Sequence, residues 1–345
     1  LRATPEGRAL EHADGTPFFL LGDTWWSLPS FRFALRGQGE ARPVGPNASL
    51  EDYVALRVAQ GFNCVTVLAA HPAWADDGKP RRIQEQDGTW LRQGWMHPAR
   101  EGQTKDMHNE GGRPFEFPGK APGFEDVVPD LDRINPAYFQ ALDRRLDYLN
   151  DHGIVPFIEA SRRDIGQVWR KYHEWPLSYA RYVQYVFARY QAHIAIFSPI
   201  HFDMWSATLH PREYNARCNL VIDRWGRPPF GTLLSANSVP STLVDFGGAH
   251  ECRWLDVHQI GNTREHHTYW YLTEIHRAQP PRPAFNGEPY YAGLNRLSAP
   301  YRLRTTPDGA DDLRYVRSGM YGSLLSGGLA GHVYGAEGIW QADIE

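Results

Sequence analysis

The sequence has few cysteines, few lysines and no long apolar run. Its three cysteines, Cys64, Cys218 and Cys252, have spacings that match neither a zinc site nor a dense disulfide framework. No run approaches the ~20 apolar residues that cross a bilayer. The formal net charge is only −4 and no basic stripe is visible, so nucleic acid and anionic membranes are poor candidate partners.

The length of the chain and its first residues limit the class of protein to which it can belong. With 345 residues, 42% of them hydrophobic, the chain fits one large domain better than two average ones, because α/β barrels often exceed ~250 residues. It begins at Leu1 without a methionine or a basic-then-apolar leader. We therefore expect a mature or trimmed product, and a secreted or periplasmic bacterial enzyme rather than a cytoplasmic one.

Aromatic residues are abundant, with 12 Trp and 17 Tyr. Many stand beside turn residues and charges, as in segments 23–26, 202–205 and 288–291. Sugar rings present flat C–H faces that stack on aromatic planes, and hydroxyls that need carboxylates, amides or imidazoles. The composition favours a carbohydrate-binding cleft. The alternative is that these aromatics only wall the ends of a barrel.

Eight short apolar segments alternate with amphipathic helical ones, which predicts a parallel sheet covered by helices. Eight such strands indicate a closed (β/α)8 barrel, the TIM-barrel fold, rather than an open sheet. The predicted strands are Phe18–Asp23, Asn63–Leu68, Val155–Glu159, Ala195–Ile200, Gly231–Ser235, Leu255–His258, Pro283–Glu288 and Gly331–Tyr334.

Helices and two further segments complete the predicted single domain, residues 1–345. The predicted helices are Leu50–Gln60, Pro136–His152, Tyr179–His193, Arg264–Arg277 and Asp311–Leu325. An N-terminal hairpin is expected over Arg8–Phe18, with its turn at Asp14-Gly15, where it would close the bottom of the barrel. The irregular stretch 72–130 after the second strand is too long for a simple connection. Because loops after barrel strands lie on the catalytic face, we expect it to be a cleft-forming insertion.

Polar residues stand at the C-terminal end of nearly every predicted strand, where the catalytic residues of such barrels cluster. The predicted substrate contacts among them are Asp23, His71, Glu159, Asn237, His258, Gln259 and Tyr334, together with His201 near the end of the fourth strand. The predicted aromatic contacts of the substrate are Trp25, Trp26, Trp205, Tyr290 and Trp340.

Two of the strand-end acids form a candidate catalytic pair. Asp203 closes the fourth strand and Glu288 the seventh, and these strands face each other across the barrel mouth. Glycoside hydrolysis needs two such carboxyl groups, about 5–5.5 Å apart in retaining enzymes and about 6.5–9.5 Å apart in inverting ones. We predict Glu288 as nucleophile and Asp203 as acid/base. A nearby carboxylate and aromatic burial are expected to raise the pKa of Asp203, so that it can donate a proton.

Several of these assignments have an alternative. Asp23 could bind sugar hydroxyls or cap the first helix. His258 and Gln259 could contact the nucleophile or the sugar, or act only by orienting other groups. Glu159 is the rival of Asp203 for the acid/base role, although the charged segment 162–164 suggests that Glu159 is ion-paired.

Four segments resemble the family 140 apiosidase-like glycoside hydrolases, once known only as a domain of unknown function. The first, at 15–26, resembles the opening signature of that family, and the joint at 57–63 is similar to its second segment. The segment 286–291 resembles the nucleophile segment. The closing segment is matched by 317–321, 327–336 and 339–340. Together these segments span nearly the whole chain in the expected order.

The resemblance implies a (β/α)8 barrel with retaining chemistry, an acidic acid/base on strand four and Glu288 as nucleophile on strand seven. Asp203 departs from the family pattern, because Pro199, His201 and Phe202 replace the small residues that usually precede the acid. The insertion at 72–130 is also unlike compact members of the family. A plant or algal poly- or oligosaccharide is the expected substrate class. The β-sandwich that commonly follows such barrels is expected to be missing, because the chain stops just past strand eight.

Two other classes of function are weighed against a glycosidase. A metal-dependent barrel hydrolase would carry a His-x-His near the first strand, whereas this strand ends in Gly-Asp-Thr-Trp; no metal or other cofactor is expected. A catalytically inactive carbohydrate-binding barrel would tolerate the loss of either acid.

Overall fold

The computed structural model describes most of the chain. The described residues are 1–30, 33–35, 48–70, 83–84, 90–91, 109–121, 124–163, 169–170, 173–203, 209–261, 269–293, 312–336 and 339. None of the helices in these ranges combines the length and the apolar composition that crossing a membrane requires.

Eight parallel strands form one curled sheet, as predicted for a (β/α)8 barrel. In chain order they are β4 (Leu20–Thr24), β5 (Cys64–Leu68), β10 (Val155–Glu159), β11 (Ile196–Ser198), β12 (Leu233–Leu234), β13 (His258–Ile260), β14 (Ala284–Asn286) and β15 (Gly331–Tyr334). Their order in the sheet is β12-β11-β10-β5-β4-β15-β14-β13. Consecutive strands are therefore neighbours except for β12 and β13, which lie at the two ends of the sheet, and the last strand pairs with the first, as a barrel requires.

The two ends of this sheet are joined by a few hydrogen bonds. The carbonyl of Leu234 in β12 accepts from the backbone N–H of Asp256 at 2.8 Å and of Val257 at 3.1 Å, just before β13. The Ser235 hydroxyl donates to the Val257 carbonyl at 2.7 Å. These bonds bring the fifth and sixth barrel strands together, so the curled sheet approaches closure.

The strand predictions are confirmed, with one shift. The third and eighth barrel strands have the predicted bounds, and most others are shorter by one or two residues at their ends. The sixth was predicted at Leu255–His258 but lies at His258–Ile260. Residues 255–257 instead form the segment just before the strand, and the hydrogen bonds to Leu234 come from this segment.

Helices cover the sheet, and most were predicted. They are α1 (Leu50–Ala59), α2 (Pro136–Asp151), α3 (Trp175–Tyr190), α4 (Pro211–Trp225), α5 (Thr242–Asp245), α6 (Trp270–Arg277) and α7 (Asp312–Leu325). Helix α1 begins with a capping box in which the Ser49 side chain and Asp52 exchange hydrogen bonds with each other's backbone N–H. It ends before Gly61, whose φ of +83° favours glycine.

Helices α4 and α5 were missed by the sequence analysis. Helix α4 has Pro211 in its first turn, and the His210 side chain accepts from the backbone N–H of Arg212. Its apolar residues are few among many charges, so the periodicity was weak. Helix α5 has only one turn, which is too short for a periodic pattern.

The N-terminal hairpin is confirmed and gains a strand. Strands β2 (Leu10–Glu11) and β3 (Pro17–Phe18) pair antiparallel, and β1 (Arg2–Ala3) pairs with β2. The turn holds because the Asp14 carboxylate accepts from the Thr16 N–H at 2.9 Å.

The stretch 72–130 is not irregular throughout, which corrects the sequence analysis. Within its described part, β6 (Ile83–Gln84) pairs with β7 (Trp90–Leu91), and β8 (Phe115–Ala121) pairs with β9 (Phe124–Ile134). The β8–β9 pairing shifts register three times along its length. Such bulges interrupt the period-two pattern by which strands are recognised in a sequence.

The core has two layers, one inside the barrel and one between the barrel and its helices. The inner cluster takes one or more residues from most strands, namely Leu20, Cys64, Val155, Phe157, Ile196, Leu233, Phe285 and Val333, with Val257 before β13. Leu10 and Phe18 of the hairpin belong to the same cluster, which places the hairpin at the bottom of the barrel. The polar strand-end residues therefore lie at the opposite end, above this apolar interior.

Gly331 offers a test of the packing between the last and first strands. A Cβ at this position would lie 2.3 Å from the backbone oxygen of Leu20, and backbone cannot move aside cheaply. We expect Gly331→Ala to lower the free energy of unfolding by about 2–4 kcal/mol, measured by thermal and urea denaturation. Gly248→Ala is the matched control, because a Cβ there meets nothing within 4 Å. Equal stability of the two variants would contradict the tight contact.

Candidate active site

The strand ends converge because the parallel pairing continues past the strands. Isolated parallel bridges join Arg162 to His201 and His201 to Asn237. These residues follow β10, β11 and β12, so three neighbouring strand ends deliver side chains to one place. In (β/α)8 barrels the active site is formed by the loops at the C-terminal ends of the strands.

Glu288 is held at this end by the loop that follows β14. Its side chain is almost fully buried, and it accepts hydrogen bonds from Asn237 Nδ2 at 3.0 Å and from the Tyr291 hydroxyl at 3.3 Å. The preceding residue is a glycine packed against Gln259, because a Cβ on Gly287 would lie 1.8 Å from Gln259 Oε1 and would force that side chain to shift. The predicted strand-end position of Glu288 is thus matched by a structured environment for its carboxylate.

Asp203 contacts two arginines. Arg162 Nη2 lies 3.3 Å from Asp203 Oδ2, and Arg163 Nη1 contacts Oδ1. The Asp203 side chain is 11% exposed, whereas Glu159 is not exposed at all. Asp203 therefore has the more accessible carboxyl group of the two candidate acids.

Glu159 lies deeper, in a setting that excludes water. Burial raises the pKa of Glu159 well above its usual range, and the charge of Glu288 acts in the same direction; the backbone N–H of Asn237 offsets a smaller part. From the sequence, arginines were expected beside Glu159, and an aromatic environment that raises the pKa was expected for Asp203. In the structure both arginines contact Asp203 instead.

His201 stands at the centre of the three acids. Its Nδ1 lies 2.6 Å from Glu159 Oε2, and its Nε2 lies 3.5 Å from Asp203 Oδ2 and 4.0 Å from Glu288 Oε2. The edge of Trp26 packs on the imidazole, with ring centroids 4.6 Å apart. The prediction that His201, Asn237 and Trp26 share the site of the catalytic acids fits this geometry.

The same three side chains could in principle hold a cation. One ligand atom each from His201, Asp203 and Glu288 all lie within 4.8 Å of one another. However, Asp203 already contacts two guanidinium groups, and positive charge at that distance opposes a metal ion. We therefore describe the cluster as an acid pair with a histidine, and assign no metal to it.

Asp23 and Trp25 belong to the protein interior, which corrects their prediction as substrate contacts. The Asp23 carboxylate is fully buried and accepts from Arg57 Nε at 2.6 Å and Trp25 Nε1 at 2.9 Å. Burial raises the pKa of Asp23, and the charge of Arg57 offsets part of this effect. The Trp25 ring, with no exposed surface, packs on Phe33 and Tyr53, so it offers no face to a sugar.

His258 and Gln259 hold neighbouring elements together. His258 Nδ1 lies 2.7 Å from the Thr242 hydroxyl of α5, and Gln259 Nε2 donates to the Ser235 hydroxyl at 3.0 Å. Burial lowers the pKa of His258 to about 3, so the ring is neutral at ordinary pH. These contacts favour the orienting role over direct contact with a sugar.

Two aromatic candidates carry structural contacts. The Tyr290 hydroxyl donates to Asp312 Oδ1 at 2.5 Å, and its ring packs on Tyr315. The Tyr334 ring lies 5.2 Å from the Arg57 guanidinium. The remaining predicted contacts, His71, Trp205 and Trp340, lie outside the described residues.

Sequence reasoning missed two kinds of site residue. Arg162 and Arg163 were assigned to the wrong acid, and Tyr291 was noticed only as part of an aromatic run. Tyr291 follows Glu288 by three residues and reaches back to its carboxylate. Only the spacing from a strand-end acid could have indicated this contact.

Comparison with known proteins identifies the relatives of this fold. A family model described as "Apiosidase-like, catalytic domain" matches residues 4–345. No curated protein sequence matches the chain. The family match covers nearly the whole chain and supports a glycoside hydrolase, as the sequence resemblance implied.

Solved structures show the same fold at low identity. A family 5 glycoside hydrolase from Bacteroides vulgatus has a TM-score of 0.62 and 18% identity, over 99% of this chain and 62% of its own. A second structure, described as a glycoside hydrolase, has a TM-score of 0.60 and 17% identity, over 99% of this chain and 66% of its own. A family 5 mannosidase variant from Rhizomucor miehei, in complex with mannosyl-fructose, has a TM-score of 0.57 and 13% identity, over 96% and 84%. The chain thus spans less than two thirds of the first two, and the likeness establishes the fold alone.

The buried Asp23–Arg57 pair predicts a loss of stability rather than of substrate binding. We expect Asp23→Asn to lower the free energy of unfolding by about 3–5 kcal/mol, because it leaves a nearly buried guanidinium without its counter-ion. Activity per folded molecule and KM should change little. The matched control is Asp223→Asn, which breaks a surface pair with Arg253 and should leave the melting temperature nearly unchanged. A stable Asp23→Asn protein with a raised KM would restore the ligand role.

Proposed function

The chain belongs to the apiosidase-like family, and on that premise we propose that it is a retaining glycoside hydrolase with Glu288 as nucleophile and Asp203 as acid/base. The proposed substrate is a plant or algal poly- or oligosaccharide. A polymer of that kind is met outside the cell, so we propose a secreted or periplasmic location as well.

The distance between the two acids carries the proposal. One carboxylate oxygen of Asp203 and one of Glu288 lie within 4.8 Å of each other. Retaining enzymes keep their carboxyl groups about 5–5.5 Å apart, whereas inverting enzymes need about 6.5–9.5 Å to fit a water molecule between the general base and the anomeric carbon. The short separation supports direct attack by one carboxylate on the anomeric carbon.

The surroundings of each acid support its proposed role. Glu288 accepts hydrogen bonds from Asn237 and Tyr291, which orient its carboxylate for attack. Asp203 is the more exposed acid, so it can reach the leaving-group oxygen. Glu159 has a raised pKa but lies behind His201 with no exposed surface, which makes it a poorer donor to a substrate.

The proposed reaction has two balanced steps. In the first, a Glu288 oxygen attacks the anomeric carbon while Asp203 gives its proton to the departing glycosidic oxygen, and a glycosyl ester forms. In the second, Asp203 takes a proton from water, whose oxygen attacks the anomeric carbon and releases Glu288. The two arginines beside Asp203 stabilise its charged form, which is the form that the second step needs.

Substitution of the two acids tests these roles. We expect Glu288→Gln to abolish turnover, because the amide cannot form the ester. Asp203→Asn should lower kcat by about 10²–10⁴-fold on natural substrates, but far less on aryl glycosides whose leaving groups need no proton. The measurement is kcat over a series of aryl leaving groups of different pKa, with Glu251→Gln, an exposed acid, as control.

Two outcomes would contradict the proposal. Equal loss with every leaving group would remove the acid role of Asp203. A first product of opposite anomeric configuration, followed by NMR during hydrolysis, would replace the retaining mechanism by an inverting one. A screen of plant and algal polysaccharides with identified products would supply the natural substrate.

Chelation tests the metal-dependent alternative suggested by the three close ligand atoms. We expect EDTA followed by desalting to leave kcat and KM unchanged, because the proposed steps use only carboxyl groups. Activity that disappears with EDTA and returns with one divalent metal would support a metal hydrolase instead. The untreated enzyme passed through the same desalting step is the control.

A further inference from the structure

The pair formed by Glu159 and His201 is a buried ionisable unit that the proposed reaction does not use. Both side chains have almost no exposed surface, and Nδ1 and Oε2 are only 2.6 Å apart, so one hydrogen lies between them. The opposite ring nitrogen, Nε2, faces Asp203 and Glu288. The pair therefore stands directly behind the two proposed catalytic acids.

The proton count of this pair limits what Nε2 can be. If Glu159 keeps its proton, it donates to Nδ1, and a neutral imidazole then carries its hydrogen on Nε2. If the proton moves to Nδ1, a carboxylate faces an imidazolium, which also carries a hydrogen on Nε2. Both forms have zero net charge, and they differ only in the position of one hydrogen. In the third form, Glu159 is a carboxylate and His201 is a neutral ring with its hydrogen on Nδ1. This form would leave a net negative charge buried in the protein, and it would point the lone pair of Nε2 at Asp203 and Glu288.

The environment disfavours that third form. Burial and the charge of Glu288 both oppose an unpaired Glu159 carboxylate. Among the residues that the structure describes, the groups facing the imidazole include Glu159 from β10, Asp203 after β11, Glu288 after β14 and the ring of Trp26 after β4. The positive groups Arg162 and Arg163 contact Asp203.

We propose that Glu159 and His201 act as one positioning unit, in which Glu159 fixes the imidazole so that Nε2–H is presented to Asp203 and Glu288. This inference deepens and rests on the proposed function, because it assigns the role of two residues at the same site. The N–H offsets the negative charge of whichever acid is ionised, which is Glu288 before its attack and Asp203 after it has given up its proton. Glu159 then acts through His201 and never touches the substrate, unlike an acid/base.

Two isosteric substitutions of His201 separate this role from simple packing. A glutamine amide nitrogen reaches the place of Nε2, and an asparagine amide nitrogen reaches that of Nδ1. His201→Gln therefore keeps the donor to the catalytic acids, whereas His201→Asn keeps only the contact with Glu159. We expect kcat to fall about 10-fold in the first variant and about 10²–10³-fold in the second, with KM changed less than about threefold. Equal losses in the two variants, or no loss in either, would overturn the proposal.

A double-mutant cycle tests whether Glu159 works through His201. Glu159→Gln should lower kcat in the wild-type background. In the His201→Gln background it should cause little further loss of kcat, because the contact between residue 201 and Glu159 is already broken. Additive losses would mean that Glu159 acts independently, as its rival role of acid/base requires. The probe is the aryl glycoside that the wild-type enzyme cleaves best in the leaving-group series.

NMR of the wild-type protein supplies a test that needs no turnover and no stable variant other than His201→Gln for assignment. In protein labelled with 15N-histidine, we expect the His201 Nε2 signal to have the chemical shift of a protonated nitrogen, and neither ring-nitrogen signal to move between pH 5 and pH 8. An ordinary histidine loses one ring proton near its usual pKa of about 6.5, which moves the signal of at least one ring nitrogen. A His201 that titrates normally overturns the positioning unit even if the enzyme is active. If the NMR signals are as expected but no glycoside is cleaved, the proposed function is wrong, whereas the proposed protonation of the Glu159–His201 pair still holds.

Discussion

The closeness of Asp203 and Glu288 is the constraint on which the rest of the site depends. Two unit charges within 4.8 Å of each other would repel by about 3 kcal/mol or more at an effective dielectric constant of about 20, so the site disfavours ionisation of both acids at once. The neighbours of the two acids oppose this repulsion: two arginines contact Asp203, Asn237 and Tyr291 donate to Glu288, and His201 lies against both. The polar layer above the apolar barrel interior is therefore a consequence of placing two acids together.

The barrel could be predicted from the sequence because its strands are buried on both faces. Val155–Glu159 and Gly331–Tyr334 were delimited correctly, since each apolar run is bounded by a turn residue on one side and a polar residue on the other. The β8–β9 pair could not be recognised, because its register shifts break the alternation that identifies an exposed hairpin. Helix α4 was missed for a similar reason, since its charged residues obscure the apolar face.

The candidate site was only partly predictable, and strand alternation explains which strand-end side chains turn away from it. Leu20 and Val257 belong to the interior cluster of the barrel. Because successive side chains point to opposite faces, Asp23 and His258 point outward to the helices, where they contact α1 and α5. Gln259 points inward with Val257. Position at a strand end was therefore a weaker criterion on its own. It predicts a site residue better when the alternation of side chains also points that residue into the barrel.

Residues beyond the strands follow no such alternation, and the proposed catalytic pair is among them. Asp203 comes five residues after β11, and Glu288 two residues after β14. Their placement depends on the loop backbone, and at Gly287 this backbone packs closely on Gln259, whose amide would have to shift to admit a side chain there. Gln259 points inward and donates to Ser235, so it forms part of a polar floor on which the Glu288 loop rests. The alternation of side chains along the strands thus determines which residues form the floor of the site. The loops after the strands place Asp203 and Glu288, the groups proposed to react, above that floor.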